Sequence, residues 1–213
     1  MHLIVDLRNM NCHNCGAATY TSEIMKSLAK YDNVHSDLKI IQLVSKENQI
    51  FSNDYQIWYT WFEGWHRIFR SLDNIYLFIR IFFKFKDNVI FWCPLNTGAT
   101  ILFLLLKQVE VVVTIHDLKL LDRPDLVSWK EKFFRRLELA SSLYVAKRVS
   151  TVSEFTRTSV INHFSKYKYC RDARVFLEGI PENIIHGSPH ASNVSSIGPF
   201  LFTIGTNKNK RIE

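Results

Sequence analysis

A short segment, Val109–Ile115, constrains the fold more than any other part of the chain. All of its residues except Glu110 are β-branched, which is typical of a parallel strand covered on both faces. Apolar runs of strand length also lie at Leu3–Leu7, Leu38–Val44 and Val89–Cys93. Between the first two of these runs, Ala18–Lys30 carries apolar residues at helical spacing. The chain therefore opens with a strand, a loop, a helix and a strand, which predicts a parallel sheet.

The same alternation continues toward the carboxyl end. We predict helices at Asn74–Phe85 and Ser128–Ala146, a strand at Val149–Val152, a helix capped by Ser153 that ends near Phe164, and a strand at Arg174–Leu177. Residues 1–185 are therefore expected to form a Rossmann-like α/β domain. Its parallel sheet would carry helices on both faces.

The composition agrees with such a domain. Of 213 residues, 47% are hydrophobic and 22% are charged, which allows a sizeable core and excludes intrinsic disorder of the whole chain. The longest uninterrupted apolar run, Ile101–Leu106, is far shorter than the roughly 18–20 residues of a membrane-spanning helix. The first residues lack the basic and apolar regions of a secretory signal, and 4 cysteines are too few for a disulfide scaffold. We therefore expect a cytoplasmic protein.

The composition changes after residue 185. Residues 186–199 are rich in Ser, Gly, Pro and Asn and are expected to form an exposed linker. Beyond them, Phe200–Ile204 has the apolar character of a buried strand, and Gly205 and a basic turn follow it. A single strand has no sheet of its own to join. Residues 200–213 are therefore interpreted as the first strand of a second, truncated domain.

Ligands of open parallel sheets bind at the carboxyl ends of the strands. Polar or glycine residues that directly follow predicted strands are therefore candidates for a binding edge: Arg8, Asn9, Asn96, Thr97, His116, Asp117, Ser153, Glu154, Glu178, Gly179, Gly205 and Thr206. The chain lacks both the phosphate-binding loop GxxxxGK[ST] and a GxGxxG turn after the first strand. This pattern disfavours a P-loop NTPase and an ordinary NAD-dependent dehydrogenase.

Three segments between residues 112 and 180 carry a family resemblance. They are Val112–Leu118, Ser150–Thr156 and Val175–Ile180, with the sequences VVTIHDL, STVSEFT and VFLEGI. In order and spacing they resemble the amino-terminal domain of glycosyltransferase family 4, and Phe202–Thr206 with Asn209 and Lys210 is similar to the start of that family's second domain. The resemblance covers nearly the whole chain and is strongest over residues 109–182. It implies one half of a GT-B fold, which consists of two Rossmann-like domains.

The family resemblance also implies an activity. Such enzymes transfer a sugar from a nucleoside diphosphate sugar, with retention of configuration and generally without a metal. The amino-terminal domain binds the acceptor and closes over the donor, which the second domain holds. The expected partners are a nucleotide sugar and a glycan or lipid-linked acceptor in polysaccharide or glycolipid assembly, with no further cofactor. Because the family's paired glutamates would lie beyond residue 213, the chain alone is expected to be inactive.

The resemblance places His116 at the reaction centre as the catalytic residue that contacts the donor sugar. An imidazole can donate a hydrogen bond there without carrying a full charge. The alternative is that His116 and Asp117 only end a strand and orient a loop. Asp117, Ser153 and Glu154 are candidates for acceptor or sugar contacts, but helix capping explains Ser153 equally well.

Two segments carry candidate contacts to the donor phosphates. The family commonly has a Gly-Gly turn after its first strand, whereas this chain has Gly16 followed by Ala17. The missing second glycine weakens the case for close approach of the backbone to a phosphate, although the amides at the start of the next helix remain candidates. Lys208 and Lys210 match a basic turn that meets the diphosphate in the family. A solvated surface is the alternative for these two lysines.

Two further features point to other ligands. Cys12 and Cys15 form a CxxC motif, but a closed zinc site needs four ligands and no second pair has suitable spacing, so no metal is expected.

The net charge is +7, with an aromatic and basic stretch at 58–86 and a second basic cluster at 130–136. Either these segments lie peripherally on the inner face of a membrane, against its anionic surface, or their aromatic residues belong to the core and their cations are solvated. No RNA-binding or DNA-binding motif is present, so nucleic-acid binding is not expected.

A different class of function competes with the transferase. The chain could be a catalytically inactive remnant or an interaction module, in which an exposed strand pairs with a partner. This alternative predicts that no nucleotide sugar binds, even when the second half of the enzyme is supplied.

Overall fold

A computed structural model describes the chain in segments. The described residues are 1–8, 10, 16–32, 38–45, 55–60, 67–86, 88–96, 98, 101–122 and 128–177. All of them belong to one compact unit, Met1–Gly179. The predicted linker at 186–199 and the predicted start of a second domain at 200–213 lie outside the described residues.

The described segments form a single parallel sheet. Its strands are His2–Asp6 (β1), Lys39–Val44 (β2), Gln56–Tyr59 (β3), Val89–Cys93 (β4), Val109–Ile115 (β5), Arg148–Thr151 (β6) and Arg174–Val175 (β7). They are arranged in the order β3-β2-β1-β4-β5-β6-β7, and every neighbouring pair is parallel. The predicted α/β fold with a Rossmann-like parallel sheet is confirmed.

The helices follow the strands in the predicted alternation. They are Gly16–Asp32 (α1), Arg67–Lys84 (α2), Lys119–Asp122 (α3), Trp129–Val145 (α4), Glu154–Phe164 (α5) and Lys168–Arg171 (α6), with a 3₁₀ helix at Ile101–Leu105. The predicted cap at Ser153 is confirmed, since its Oγ accepts from Thr156 N at 3.1 Å, and Ser128 caps α4 in the same way by accepting from Glu131 N at 3.2 Å. None of the described helices is both long and apolar enough to cross a membrane.

The sheet has a hydrophobic core on each face. On one face Met25 and Tyr20 of α1 pack with Val5 of β1 and Val44 of β2. On the other face buried residues of α2, α4 and α5 pack with β4 and β5: Leu77, Ile81, Leu139, Leu143, Val160, Phe164, Phe91 and Val113. Helices therefore cover both faces, as the continuous apolar character of β5 predicts.

The aromatic stretch at 58–86 divides between core and surface. Trp58 of β3 is only 1% exposed, and the guanidinium of Arg80 and the ammonium of Lys84 lie 3.9 Å and 4.9 Å from its ring centroid. This tryptophan is therefore a core residue under a cationic edge, and it does not face a membrane. Phe82 and Phe83 of α2, in contrast, are exposed, whereas Trp61 and Trp65 lie outside the described residues.

The buried thiol of Cys170 gives a testable consequence of this packing. Burial raises the pKa of Cys170 to about 11, so at pH 8 roughly one thiol in a thousand is the reactive thiolate. We expect iodoacetamide to leave Cys170 unmodified in the native protein and to label it rapidly in urea. Mass spectrometry of the peptide that contains Cys170 measures both states. Native labelling at the rate of a free thiol would contradict the described burial.

Candidate functional site

The carboxyl ends of the parallel strands meet at one edge of the sheet, here called the rim. It consists of the residues that directly follow β1, β4, β5 and β6, among them Arg8, Asn96, His116 and Ser153. The strand order reverses at β1, which lies between β2 and β4. Such a switch point opens a crevice in which α/β proteins bind their ligands. The predicted site residues His116, Asp117, Ser153 and Glu154 all lie on this rim.

The side chain of His116 is anchored by groups from neighbouring elements. Its Nε2 lies 2.8 Å from the carbonyl oxygen of Pro94, and its backbone N donates to Asn96 Oδ1 at 2.9 Å. The edge of its ring contacts Tyr20 of α1, with ring centroids 5.1 Å apart and planes at 88°. Because a carbonyl oxygen only accepts, Nε2 carries the hydrogen in the bond to Pro94. The imidazole is therefore held in one orientation by β4, β5 and α1 together.

Asn96 and Thr156 fix the backbone around His116. Asn96 N donates to Thr114 O at 3.0 Å, and its Nδ2 donates to Asp117 O at 3.1 Å. Thr156 Oγ1 of α5 donates to His116 O at 3.0 Å. Asn96 adopts a positive φ of 33°, a conformation that asparagine tolerates better than most residues. These bonds hold the rim loops of β4 and β5 against the start of α5.

Ser153 and Glu154 are both at the rim but are occupied by local structure. The hydroxyl of Ser153 caps α5 and also lies 3.0 Å from Thr156 Oγ1. The exposed carboxylate of Glu154 pairs with Arg157 one turn later, at 3.2 Å. Helix capping therefore accounts for Ser153, and Asp117 is the exposed acidic residue directly beside His116.

The first turn of α1 lies at the same edge of the sheet, because α1 follows directly on the loop after β1. Gly16 begins the helix and is exposed, and Ala17 is half-buried. The first turn itself contains no acidic side chain, and it lies at the positive end of the helix dipole. Tyr20, one turn later, connects this helix end to His116. Of the predicted phosphate-binding residues, Gly16 and Ala17 therefore lie within about one turn of Tyr20, whose ring contacts His116.

A buried ion pair forms the base of the crevice. Arg8 Nε and Nη2 each lie 2.8 Å from Asp6, and the two side chains are only 7% and 1% exposed. Burial disfavours the charged guanidinium, but attraction to Asp6 outweighs burial and raises the pKa of Arg8. A Cβ on Gly98 would lie 2.5 Å from Asp6 Oδ2, so the loop after β4 packs directly on this pair. The side chain of Arg8 is therefore a buried, structural cation of the rim.

The sequence located only part of this network. Tyr20 and Pro94 were not predicted as site residues, because no local pattern links them to His116. Asn96 follows a predicted strand, and Thr156 lies three residues after the predicted cap Ser153, so the sequence did point to these two positions. Lys208, Lys210, Glu178 and Gly179 lie outside the described residues. Among the residues that the structure describes, no cluster of His, Cys, Asp or Glu could hold a metal ion.

A groove of about 720 Å³ lies on the sheet face beside α1, below the rim. Its floor is mostly apolar and includes Leu3, Ile90, Trp92 and Val112. The polar groups that converge on His116 are not among its lining residues, apart from Tyr20. We therefore place the candidate site at the rim, where hydrogen-bonding groups from four elements meet.

Comparison with known proteins adds no assignment to this geometry. No protein-family model matches the chain, and no curated protein matches its sequence.

Proposed function

We propose that this chain is the acceptor-binding, amino-terminal half of a retaining glycosyltransferase of the GT-B type. The donor would be a nucleoside diphosphate sugar, and the acceptor a glycan or a lipid-linked sugar. The observation that carries the proposal is the position of His116, which is fixed at the carboxyl end of β5 by Pro94 and Asn96 and lies beside Tyr20 of α1. The resemblance of the segments at 112–118, 150–156 and 175–180 to glycosyltransferase family 4 supports the same conclusion.

The chemistry of sugar transfer fits the groups at the rim. Negative charge develops on the diphosphate as the bond to the sugar breaks, and oriented N–H groups stabilise such charge best when they are already in place. The first turn of α1 is the positive end of a 17-residue helix, and such an end favours negative charge. His116 is oriented by bonds within the protein, so no substrate is needed to position it. Asp117 would contact sugar hydroxyls from the adjacent exposed position.

The proposal is tested by direct binding of nucleotide sugars to the purified chain. Saturation-transfer NMR detects affinities near 1 mM, which is about −4 kcal/mol and is reasonable for half of a site. The probes are UDP-glucose, UDP-galactose, GDP-mannose and ADP-glucose, each compared with its free nucleoside monophosphate. We expect at least one nucleotide sugar to bind and His116→Ala to weaken that binding about tenfold, because the substitution removes a contact to the donor sugar.

His163→Ala is the matched control. His163 is also a partly exposed histidine, but it pairs with Asp122 at 2.8 Å and lies about two turns further along α5 than Thr156, which donates to His116 O. The His163→Ala substitution should leave nucleotide-sugar binding unchanged, and thermal unfolding should show that both variants remain folded. If none of the four nucleotide sugars binds, or if both histidine variants weaken binding equally, the proposed contact between His116 and the donor sugar is contradicted.

A further inference from the structure

The outer face of α2 is apolar where a surface helix is normally polar. Asp73 and Asn74 are buried on its inner side together with Leu77 and Ile81. On its outer side Ile79 is 45% exposed, Phe82 53% and Phe83 79%. Large apolar side chains that are exposed together usually mark an interaction surface. The solvent side of α2 is therefore suited to contact with an apolar surface or with the interface of a membrane.

The apolar surface continues across two neighbouring elements. The 3₁₀ helix packs against both α2 and α4, and its residues Ile101 and Leu105 are exposed. On α4, Trp129 and Phe133 are spaced i,i+4 and are also exposed, so they share one side of the helix. We call the exposed apolar faces of α2, the 3₁₀ helix and α4 the outer layer.

Cations accompany the outer layer. On α4, Lys130, Arg135 and Arg136 are exposed among the aromatic residues. Lys84 and Lys86 at the end of α2 are exposed as well. One acidic residue, Glu131, lies among these cations, and its carboxylate is 3.8 Å from the guanidinium of Arg135. Apolar and aromatic side chains flanked by Lys and Arg are typical of helices that lie in the interface of an anionic membrane.

The connectivity of the sheet places one end of the outer layer beside the rim. Each of α2 and α4 follows the carboxyl end of one strand and precedes the amino end of the next, so each helix begins near the rim. On α4 the exposed residues Trp129 and Phe133 belong to the first half of the helix, which is the half nearest the rim. On α2 the exposed residues Ile79, Phe82 and Phe83 belong to the second half of the helix, so the outer layer runs from the rim toward the amino ends of the strands, and a surface that contacted it would have the rim at one edge.

We infer that the outer layer seats this protein on an anionic lipid bilayer, with the rim beside the headgroups. The inference deepens the proposed function and rests on it in one respect, because it selects a lipid-linked sugar over a soluble glycan as the acceptor. The apolar side chains enter the acyl boundary, and the flanking cations contact lipid phosphates. The buried Trp58 takes no part in this surface.

A second copy of the chain fits the outer layer less well. In a symmetric dimer through this face the same cations would meet each other, and like charges placed in apposition oppose association. A lipid surface of negative charge satisfies both the apolar and the cationic groups. Dimerisation through the outer layer is therefore the competing outcome in the experiment.

The experiment is flotation of the full 213-residue chain with two kinds of vesicle. One kind contains equal amounts of phosphatidylcholine and phosphatidylglycerol, and the other contains phosphatidylcholine alone. We expect binding to the anionic vesicles, a fall of about tenfold or more without phosphatidylglycerol, and a further loss at high salt. The double variant Phe83→Ser/Phe133→Ser should reduce the partition coefficient by at least about tenfold, because both side chains lose apolar area that the bilayer would bury.

Phe176→Ser is the matched control for that variant. Phe176 is 54% exposed, as Phe133 is, but it lines the groove on the opposite face of the sheet. The Phe176→Ser variant should float with the anionic vesicles as the unmodified chain does, and circular dichroism should show that all variants are folded. The inference is overturned if the chain does not bind anionic vesicles, if Phe176→Ser weakens binding as much as the double variant, or if light scattering shows a dimer that the double variant abolishes. Vesicle binding requires no nucleotide sugar, so its failure is distinct from failure of the proposed function.

Discussion

Replacement of Arg8 by alanine should lower the free energy of unfolding by about 3–5 kcal/mol, because it leaves a buried carboxylate without its counter-charge. The carboxylate is that of Asp6, whose side chain is 1% exposed and which receives two bonds of 2.8 Å from the guanidinium. The loop at Gly98 also loses support, since Arg8 Nη2 donates to its carbonyl oxygen at 3.4 Å. Urea denaturation followed by circular dichroism measures the change in the free energy of unfolding.

Two further variants separate the pair from the rest of the crevice. Asp6→Ala should be as destabilising as Arg8→Ala, whereas the double variant should lose less than the sum of the two, since it leaves neither charge unpaired. Lys26→Ala is the exposed control, because it breaks a pair with Glu23 in which the lysine side chain is 65% exposed. That change should cost less than about 1 kcal/mol. Equal losses for Arg8→Ala and Lys26→Ala would show that the buried pair does not stabilise the rim.

The second large effect is expected at Trp58. Trp58→Ala should cost about 3–5 kcal/mol, because a large side chain that is 1% exposed leaves a cavity under Arg80 and next to Phe85. Trp58 is the buried residue of the short edge strand β3, so the loss also weakens the pairing of β3 with β2. Trp58→Phe should cost less, since it keeps part of the apolar volume. Chemical denaturation of the three proteins gives the order of stability.

Phe83→Ser provides the comparison for Trp58. Both aromatic residues lie in the stretch at 58–86, but Phe83 is 79% exposed, and a surface substitution of this kind normally changes stability by less than about 0.5 kcal/mol. A large loss at Trp58 with almost none at Phe83 would demonstrate that one aromatic segment supplies both core and surface. Similar losses at the two positions would contradict the described burial.

The central strands could be predicted from the sequence almost residue by residue. The bounds of β4 and β5 agree with the apolar runs Val89–Cys93 and Val109–Ile115, because strands covered on both faces are apolar over nearly their whole length. Strand β3 was not predicted, since in Gln56–Tyr59 only Trp58 is fully buried. Helix α2 begins at Arg67, before the predicted Asn74. Its outer face is apolar, so periodicity does not show where the helix starts.

The candidate site was predicted in its positions but not in its contacts. A strand followed by His116 and Asp117 is visible in the sequence, and so is the cap at Ser153. The bonds that orient the imidazole join residues far apart in the chain: Pro94 lies 22 residues from His116, and Tyr20 belongs to a helix near the start. Such pairings depend on strand order, which no local pattern specifies.

The central place of β1 has a consequence for the chain as it is synthesised. Leu3 pairs with Ile40 on one side and with Ile90 on the other, so the strand acquires its second neighbour only after β4 has been made. At about 5–20 residues per second, translation leaves one edge of the nascent β1 open for several seconds. The unpaired backbone N–H and C=O groups of that edge are then available for wrong pairing with other chains. Translation that pauses before Val89 should therefore reduce the yield of folded protein more than a pause of equal length after Cys93.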